Sequence, residues 1–359
     1  MKVKDIFQLL SQGGPGFVQI AVTNACNARC EFCGFSRLKP QQWVMADPDR
    51  LCRGLKVLAR AGVRYIVFTG GEPLLYPHLP DVLSEARNLG IHNLLCTNAA
   101  LLNERLIKVL GRSGVNQLII SIDAATESDH DNHRGFAGLS RSIRALLPVI
   151  RRAGITPIAS VTISRLAPDF TVLGNFLNYL GFDRATFSYP LTTLNSSYLS
   201  YAAHHCVTFT PAEMVAIFDR LRTWKSQAPI TVLNPGLGMQ ELQRQLTGRR
   251  LRFPCLAGYK YFYVDWELNV YRCHYLPDIL GPLEDFATLP RQRDNCHACL
   301  IDCYRDASVQ QYFAVSLADA WSSLRGGQWW RGLGQLLHPD NLLSLTAAFE
   351  SRHWMQRGR

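Results

Sequence analysis

The chain lacks any run of about 18 consecutive apolar residues, and its first residues, Met1-Lys-Val-Lys-Asp-Ile-Phe-Gln8, have neither the apolar core nor the small-residue cleavage site of a secretory signal. No helical membrane span is expected, and the cytoplasm is the default compartment. Charged residues make up only 18% of the chain, and no block of lysine and arginine interleaved with aromatics occurs, which argues against a nucleic-acid partner. There is no internal repeat and no long low-complexity stretch. With 47% apolar residues the disordered, collagenous and coiled-coil classes are excluded.

What is present is a globular chain of 359 residues, long enough at about 150 residues per domain for roughly two domains and a sizeable core. Its net charge of +10 admits an acidic peptide, an anionic small molecule or an anionic membrane surface without choosing among them. The eleven cysteines are an odd number, and eight fall into two groups, Cys26, Cys30, Cys33 and Cys255, Cys273, Cys296, Cys299, Cys303. Clustering of this kind points to metal ligation in a reducing compartment rather than to a disulfide framework. The remaining Cys52, Cys96 and Cys206 read as buried free thiols.

From residue 17 to about 190, short β-branched runs alternate with helical-period stretches. The runs Val18–Thr23, Tyr65–Thr69, Asn93–Thr97, Gln117–Ile122, Pro157–Ile163 and Arg184–Ser188 predict six parallel strands, with helices near 49–62, 80–89, 102–113, 137–154 and 168–181 between them. The fold class is therefore α/β, a partial (β/α)6 barrel. Such a barrel does its chemistry at the C-terminal strand ends, where Asn24 to Cys33, Gly70-Gly71-Glu72-Pro73, Asn98, Asp123 and Tyr189-Pro190 fall. Helices are expected after Pro211 and near 237–246, then a hairpin from Tyr259–Asp265 and Leu268–Arg272 leading into Cys273, and a helical tail after Cys303.

Cys26-x3-Cys30-x2-Cys33 places three soft thiolate ligands in the loop after the first strand, with no fourth nearby. A structural zinc site would want that fourth ligand close, so one coordination position of the metal is left open. This motif, with Phe32 before the third cysteine and Gly-Gly-Glu-Pro after the second strand, resembles the radical S-adenosylmethionine (radical SAM) superfamily. The resemblance implies that the three thiolates hold a [4Fe–4S] cluster whose fourth iron is chelated by S-adenosylmethionine, and that reduction of the cluster yields methionine and a 5′-deoxyadenosyl radical. It further implies that Gly70, Gly71 and Glu72 bind the cofactor's ammonium and that Phe32 lies near the adenine. Ser121, Asp123 and Arg134 would hold its ribose and carboxylate, and an electron donor such as flavodoxin or ferredoxin would serve as partner. His130 and His133 read as hydrogen-bonding loop residues.

The spacing of Cys255, Cys273, Cys296, Cys299 and Cys303 is compatible with zinc or with a second iron–sulfur cluster. Cys255-Leu-Ala-Gly, a hairpin, Cys273 and a distal Cys-x2-Cys resemble the SPASM or shorter twitch extension of radical SAM enzymes, which implies an auxiliary [4Fe–4S] cluster. The hairpin turn, Trp266–Asn269, departs from the extension's usual Asp-Gly, and the distal Cys-x2-Cys-x3-Cys is short of a full SPASM set. One cluster uses four thiolates at most, and Cys303 is the uncertain member.

The expected boundaries are 1–210 for the barrel, 211–252 for a helical connector, 253–310 for the auxiliary domain and 311–359 for the helical tail. The expected activity is hydrogen abstraction followed by oxidation or bond formation on a peptide or a natural-product small molecule. The alternatives are a small-molecule alcohol dehydrogenase of antibiotic or cofactor biosynthesis and a non-enzymatic iron–sulfur or zinc protein. The hydroxyl-rich stretch Ser188–Tyr198 is expected to line the cavity mouth. Trp321, Trp329, Trp330 and Trp354 are expected to pack in a core in preference to forming a membrane-surface helix, since Gly326, Gly327, Gly332 and Gly334 interrupt the helical pattern.

Overall fold

The computed structural model describes residues 13–190 and 204–354. Six strands, β1 (Gly16–Thr23), β2 (Val63–Gly70), β3 (His92–Thr97), β4 (Val115–Ser121), β5 (Thr156–Thr162) and β6 (Arg184–Ser188), run parallel in sequential order, and a two-residue β7 (Thr231–Val232) extends the far edge. Alternation of side chains sorts each strand between two environments. Ile66, Phe68, Leu95, Leu118 and Ile120 pack outward with helix residues Leu51, Leu55, Ile107 and Ile150, whereas Val67, Leu94, Ile119 and Ile158 form a separate cluster with Leu233 inside the barrel.

The crossovers are α1 (Pro48–Arg60), α2 (Leu79–Asn88), α3 (Glu104–Ser113), the pair α4 (Glu127–Arg134) and α5 (Leu139–Arg152), and α6 (Phe170–Leu180). Their starts are set locally. Asp47 accepts from Arg50 N ahead of Pro48, Asn103 accepts from Leu106 N, and Asp169 accepts from Thr171 N and Val172 N. Helix α4 was not expected, because Glu127-Ser-Asp-His-Asp-Asn-His-Arg134 has almost no apolar stripe. Thr126 caps it and Gly135, at φ +79°, ends it. His130, His133 and Arg134 are thus buried residues of a helix rather than loop residues.

Beyond the barrel come α7 (Pro211–Lys225), opened by a reciprocal Thr210–Glu213 capping box, and α8 (Gly236–Leu246). The hairpin of β8 (Tyr261–Val264) and β9 (Asn269–Tyr271) is present, and β8 pairs in parallel with β1, from Phe17 opposite Tyr261 to Ile20 opposite Val264. With β10 (Ile279–Pro282) the described residues form one ten-stranded sheet, so the hairpin that leads into Cys273 is joined to the strand that feeds the first cysteine loop.

The chain ends in α9 (Asp302–Arg325), α10 (Trp329–Leu336) and α11 (Pro339–Glu350), the last two packed on α9. Gly326 and Gly327 sit in the turn before α10, and Gly332 sits on its close side, where a Cβ would stand 2.7 Å from Leu324, while the exposed Gly334 is accommodated within the helix. The expected burial of the tryptophans fails. Trp321 of α9 is 41% exposed, and on α10, whose packed side is taken by Gly332, Trp329 is 64% and Trp330 89% exposed. The Trp354 side chain and residues 191–198 of the hydroxyl-rich stretch lie outside what is described.

Candidate active site

The loop from Asn24 to Ser36 leaves β1 at its C-terminal end and is tied to three other strand or helix ends. Gly71 N donates to Thr23 O (2.9 Å), Glu72 N to Ala25 O (2.7 Å), Asn98 Nδ2 to Asn27 Oδ1 (2.8 Å) and Arg29 N to Arg134 O (3.0 Å). Ser36 Oγ lies 2.7 Å from the carbonyl oxygens of both Cys30 and Cys33. Two glycines are required by this closeness. A Cβ on Gly70, whose φ is +134°, would stand 2.1 Å from Thr23 O, and one on Gly71 would stand 2.1 Å from Ala25 O.

Glu72 is fully buried and accepts from Thr97 Oγ1 (2.7 Å), Asn98 N (2.7 Å) and Leu74 N (3.1 Å), which ties the β2 turn to the end of β3. Burial raises its pKa, while those three hydrogen bonds work in the opposite direction. A carboxylate offers about four lone-pair sites, so roughly one remains for a ligand.

Opposite stand the residues after β4. Asp123 and Arg134 form a buried ion pair, Nη2 to Oδ2 2.5 Å, and His133 Nε2 is 3.7 Å from the same oxygen. A Cys30 sulfur, an Asp123 oxygen and a His133 ring nitrogen lie within 4.8 Å of one another. Phe32 stacks on His133 at 4.8 Å, and Asp123 N donates to His130 Nδ1 at 3.3 Å. His130, buried and beside Arg134, is pushed down to about 4 and is neutral at physiological pH. Ser121 is half-buried at the end of β4.

Cys26, Cys30 and Cys33 are all free thiols, and each lies close enough to Arg134 to feel its charge. Burial pushes Cys26 and Cys30 up to about 12, and it raises Cys33 as well. Three soft donors withdrawn from water beside a fixed guanidinium suit a cationic metal centre, which would drive the thiols to thiolate. Asp123 Oδ1 is buried with no hydrogen-bond partner among the described residues. Such an orphaned acceptor, facing a loop braced by glycines, fits a ligand that brings hydroxyl or ammonium donors.

Of the second cysteine group, Cys255, Cys273, Cys296 and Cys299 line one small, tight cavity together with Arg272, Tyr304 and Arg305. The distal pair is brought there by Arg272, which pairs with Asp294 and donates from Nε to Ala257 O (3.0 Å), and by Gln245 Nε2, which donates to the carbonyls of His297 (2.6 Å) and Cys299 (3.2 Å). Cys303 does not line this cavity, and its thiol meets the Gln19 side chain of β1.

The sequence reading missed the acids beside it. Asp302 and Asp306, one helical turn apart at the start of α9, are directed at the barrel, where Asp306 Oδ2 accepts from Tyr189 Oη (3.2 Å) and Asn234 Nδ2 (2.9 Å). Burial pushes Asp302 up to about 7 and Asp306 up to about 8. The only hint was an i, i+4 acid pair immediately after a cysteine motif.

Residues 20–167 match the model of the radical SAM superfamily. That stretch, which holds the first cysteine loop and the first five strands, is a radical SAM domain. Among curated relatives it is 37% identical over 108 residues to a GTP 3′,8-cyclase of Chlorobaculum tepidum, covering 30% of this chain and 32% of that protein. It is 27% identical over 151 residues to an AdoMet-dependent heme synthase of Methanosarcina barkeri (42% and 43%), and 27% over 144 residues to a PqqA peptide cyclase of Gluconobacter oxydans (40% and 40%). The chain therefore spans less than half the length of these relatives. In fold it is similar to Streptococcus suis SuiB bound to S-adenosylmethionine (TM-score 0.56, 16% identity, 75% of this chain and 63% of that one). It is also similar to anSMEcpe with bound AdoMet and the Cp18Cys peptide (0.55, 15%, 95% and 97%).

Proposed function

We propose that the protein is a radical SAM enzyme that oxidises or crosslinks a peptide, using an auxiliary cluster beside the barrel. When bound, the [4Fe–4S] cluster and S-adenosylmethionine supply an electron and a 5′-deoxyadenosyl radical that removes a substrate hydrogen. Cys26, Cys30 and Cys33 hold the cluster, and Arg134 offsets its thiolate charge. The Gly70–Glu72 turn and Asp123 bind the cofactor's polar groups, and Phe32 covers the loop from the side of α4. Cys255, Cys273, Cys296 and Cys299 hold the auxiliary cluster, with Cys303 spared.

The observation that carries the oxidative reading is the convergence of those four thiols on one cavity, in a unit whose hairpin is paired with β1. A redox-neutral isomerisation has little use for a second redox centre so placed. The peptide class is favoured because SuiB is described with its precursor peptide SuiA and anSMEcpe with the Cp18Cys peptide. The test is anaerobic reconstitution followed by iron and sulfide counting and by assay of nucleoside release. About eight irons per chain, from two four-iron clusters, with 5′-deoxyadenosine released on adding S-adenosylmethionine and reductant, supports the reading. Zinc in place of iron, with no nucleoside, refutes it.

A further inference from the structure

We propose that the face of α10 and α11 turned away from α9 is a docking surface for an anionic lipid membrane. Large apolar side chains that belong in a core are presented to solvent there. Trp329, Trp330 and Leu333 of α10 and Leu337 at its C-terminal cap are 64%, 89%, 42% and 81% exposed, and on α11, Leu342, Leu345 and Phe349 are 68%, 41% and 67% exposed. The spacings i, i+1, i+4, i+8 and i, i+3, i+7 each define one helical face. The opposite faces are used: Gly332 of α10 meets Leu324, and Ser344 Oγ of α11 donates to Val309 O of α9 at 2.7 Å.

The occupant is selected by charge. Between residues 321 and 352 the exposed ionic side chains are Arg325, Arg331 and Arg352. The two acids of that stretch are already paired, Asp340 with His338 and Glu350 with Lys225. Arg352 stacks over Phe349 of the apolar face at 4.0 Å, Arg331 is carried by α10 itself, and Arg325 ends α9 just before α10, where it stacks over the exposed Trp321 at 4.7 Å. Tryptophan and leucine inserting at headgroup depth, with arginine reaching phosphate, is the pattern of a helix lying in a membrane interface. A second copy of the chain fits poorly, since an isologous contact would bring Arg331 and Arg352 against their copies while Asp340 and Glu350 are already engaged within the chain. No helix among the described residues is long and apolar enough to cross a membrane, so the contact is with one leaflet.

The experiment is flotation of the full-length reconstituted protein with large unilamellar vesicles. Vesicles of phosphatidylcholine with about a third phosphatidylglycerol are compared with pure phosphatidylcholine, and iron content reports intact folding. Binding to the anionic vesicles at least about tenfold tighter, weakened by 0.5 M salt as ~10 Å charge screening shortens, is expected. W329S/W330S should lose most binding to both vesicles, and R325Q/R331Q/R352Q should lose the anionic preference, with iron content and nucleoside release unchanged. Absence of vesicle binding, or binding that survives W329S/W330S, overturns the proposal. So does a concentration-dependent dimer that the same double variant abolishes, which would assign the face to a second copy.

Discussion

Gly71 has room for no side chain at all. Its amide donates to Thr23 O, and the direction of a Cβ leads into Ala25 O at 2.1 Å. Gly71→Ala must therefore displace the loop that carries Cys26, and 5′-deoxyadenosine release should fall at least about tenfold, the expected scale when reacting groups shift by an ångström. Arg134 is constrained by charge rather than by space. Replacing it with leucine leaves Asp123 buried and unpaired, a change that costs about 3–5 kcal/mol; urea unfolding of the apoprotein should show it, and Arg134→Lys should lose less. At Asp306 burial raises the carboxyl to about 8, so the native state holds a proton that the unfolded chain releases near pH 4. Its contribution is greatest below the unfolded pKa and declines as pH rises toward 8. Asp306→Asn, still able to accept from Tyr189 and Asn234, should gain stability relative to the parent as pH is raised from 5 to 8 in paired urea titrations.

At the scale of elements, the ligand sets depend on what each segment is joined to. Cys299 precedes α9 and faces the cavity, whereas Cys303 is in its first turn and faces Gln19. Cys299→Ala should lose the auxiliary irons, about four per chain, while Cys303→Ala keeps them, as read by iron counting and by the spectrum of the reduced protein. Legibility follows the same division. The six strands and five of the crossover helices were readable because β-branched runs and apolar periodicity are local signals, reinforced by caps such as Asp47, Asn103 and Asp169. Helix α4 was not readable, since its residues are polar and it exists to carry His130, His133 and Arg134 against Asp123. Asp302 and Asp306 were missed for a related reason. Nothing in their local pattern says that the first turns of α9 point into the barrel.

At the scale of the whole molecule, the described residues form one ten-stranded sheet, in which the hairpin leading to Cys273 extends the barrel edge beside β1. From Phe286 to Leu300 no strand or helix is present, and the segment is held by Arg272, Gln245 and Arg293, the last paired with Asp319. Leu289 packs on the main core and Arg291 stacks over Phe262 and Phe286, so a metal centre on Cys296 and Cys299 would add order chiefly from Arg293 onward, where ligand bonds stand in for sparse packing. Trypsin should cut at Arg293 in protein stripped of iron and spare it after reconstitution; equal cleavage in the two forms would show that the protein contacts suffice.

By itself the sequence determined the parallel α/β class, the two cysteine groups and the expected cofactor chemistry, because strand periodicity and ligand spacing are written within a few consecutive residues. Only the tertiary structure decided that four of the five distal thiols share a cavity, that an Asp123–Arg134 pair backs the first cysteine loop, and that Trp329 and Trp330 face solvent. Each of those depends on which faces of distant segments meet, and that is settled by packing across the sheet and along α9.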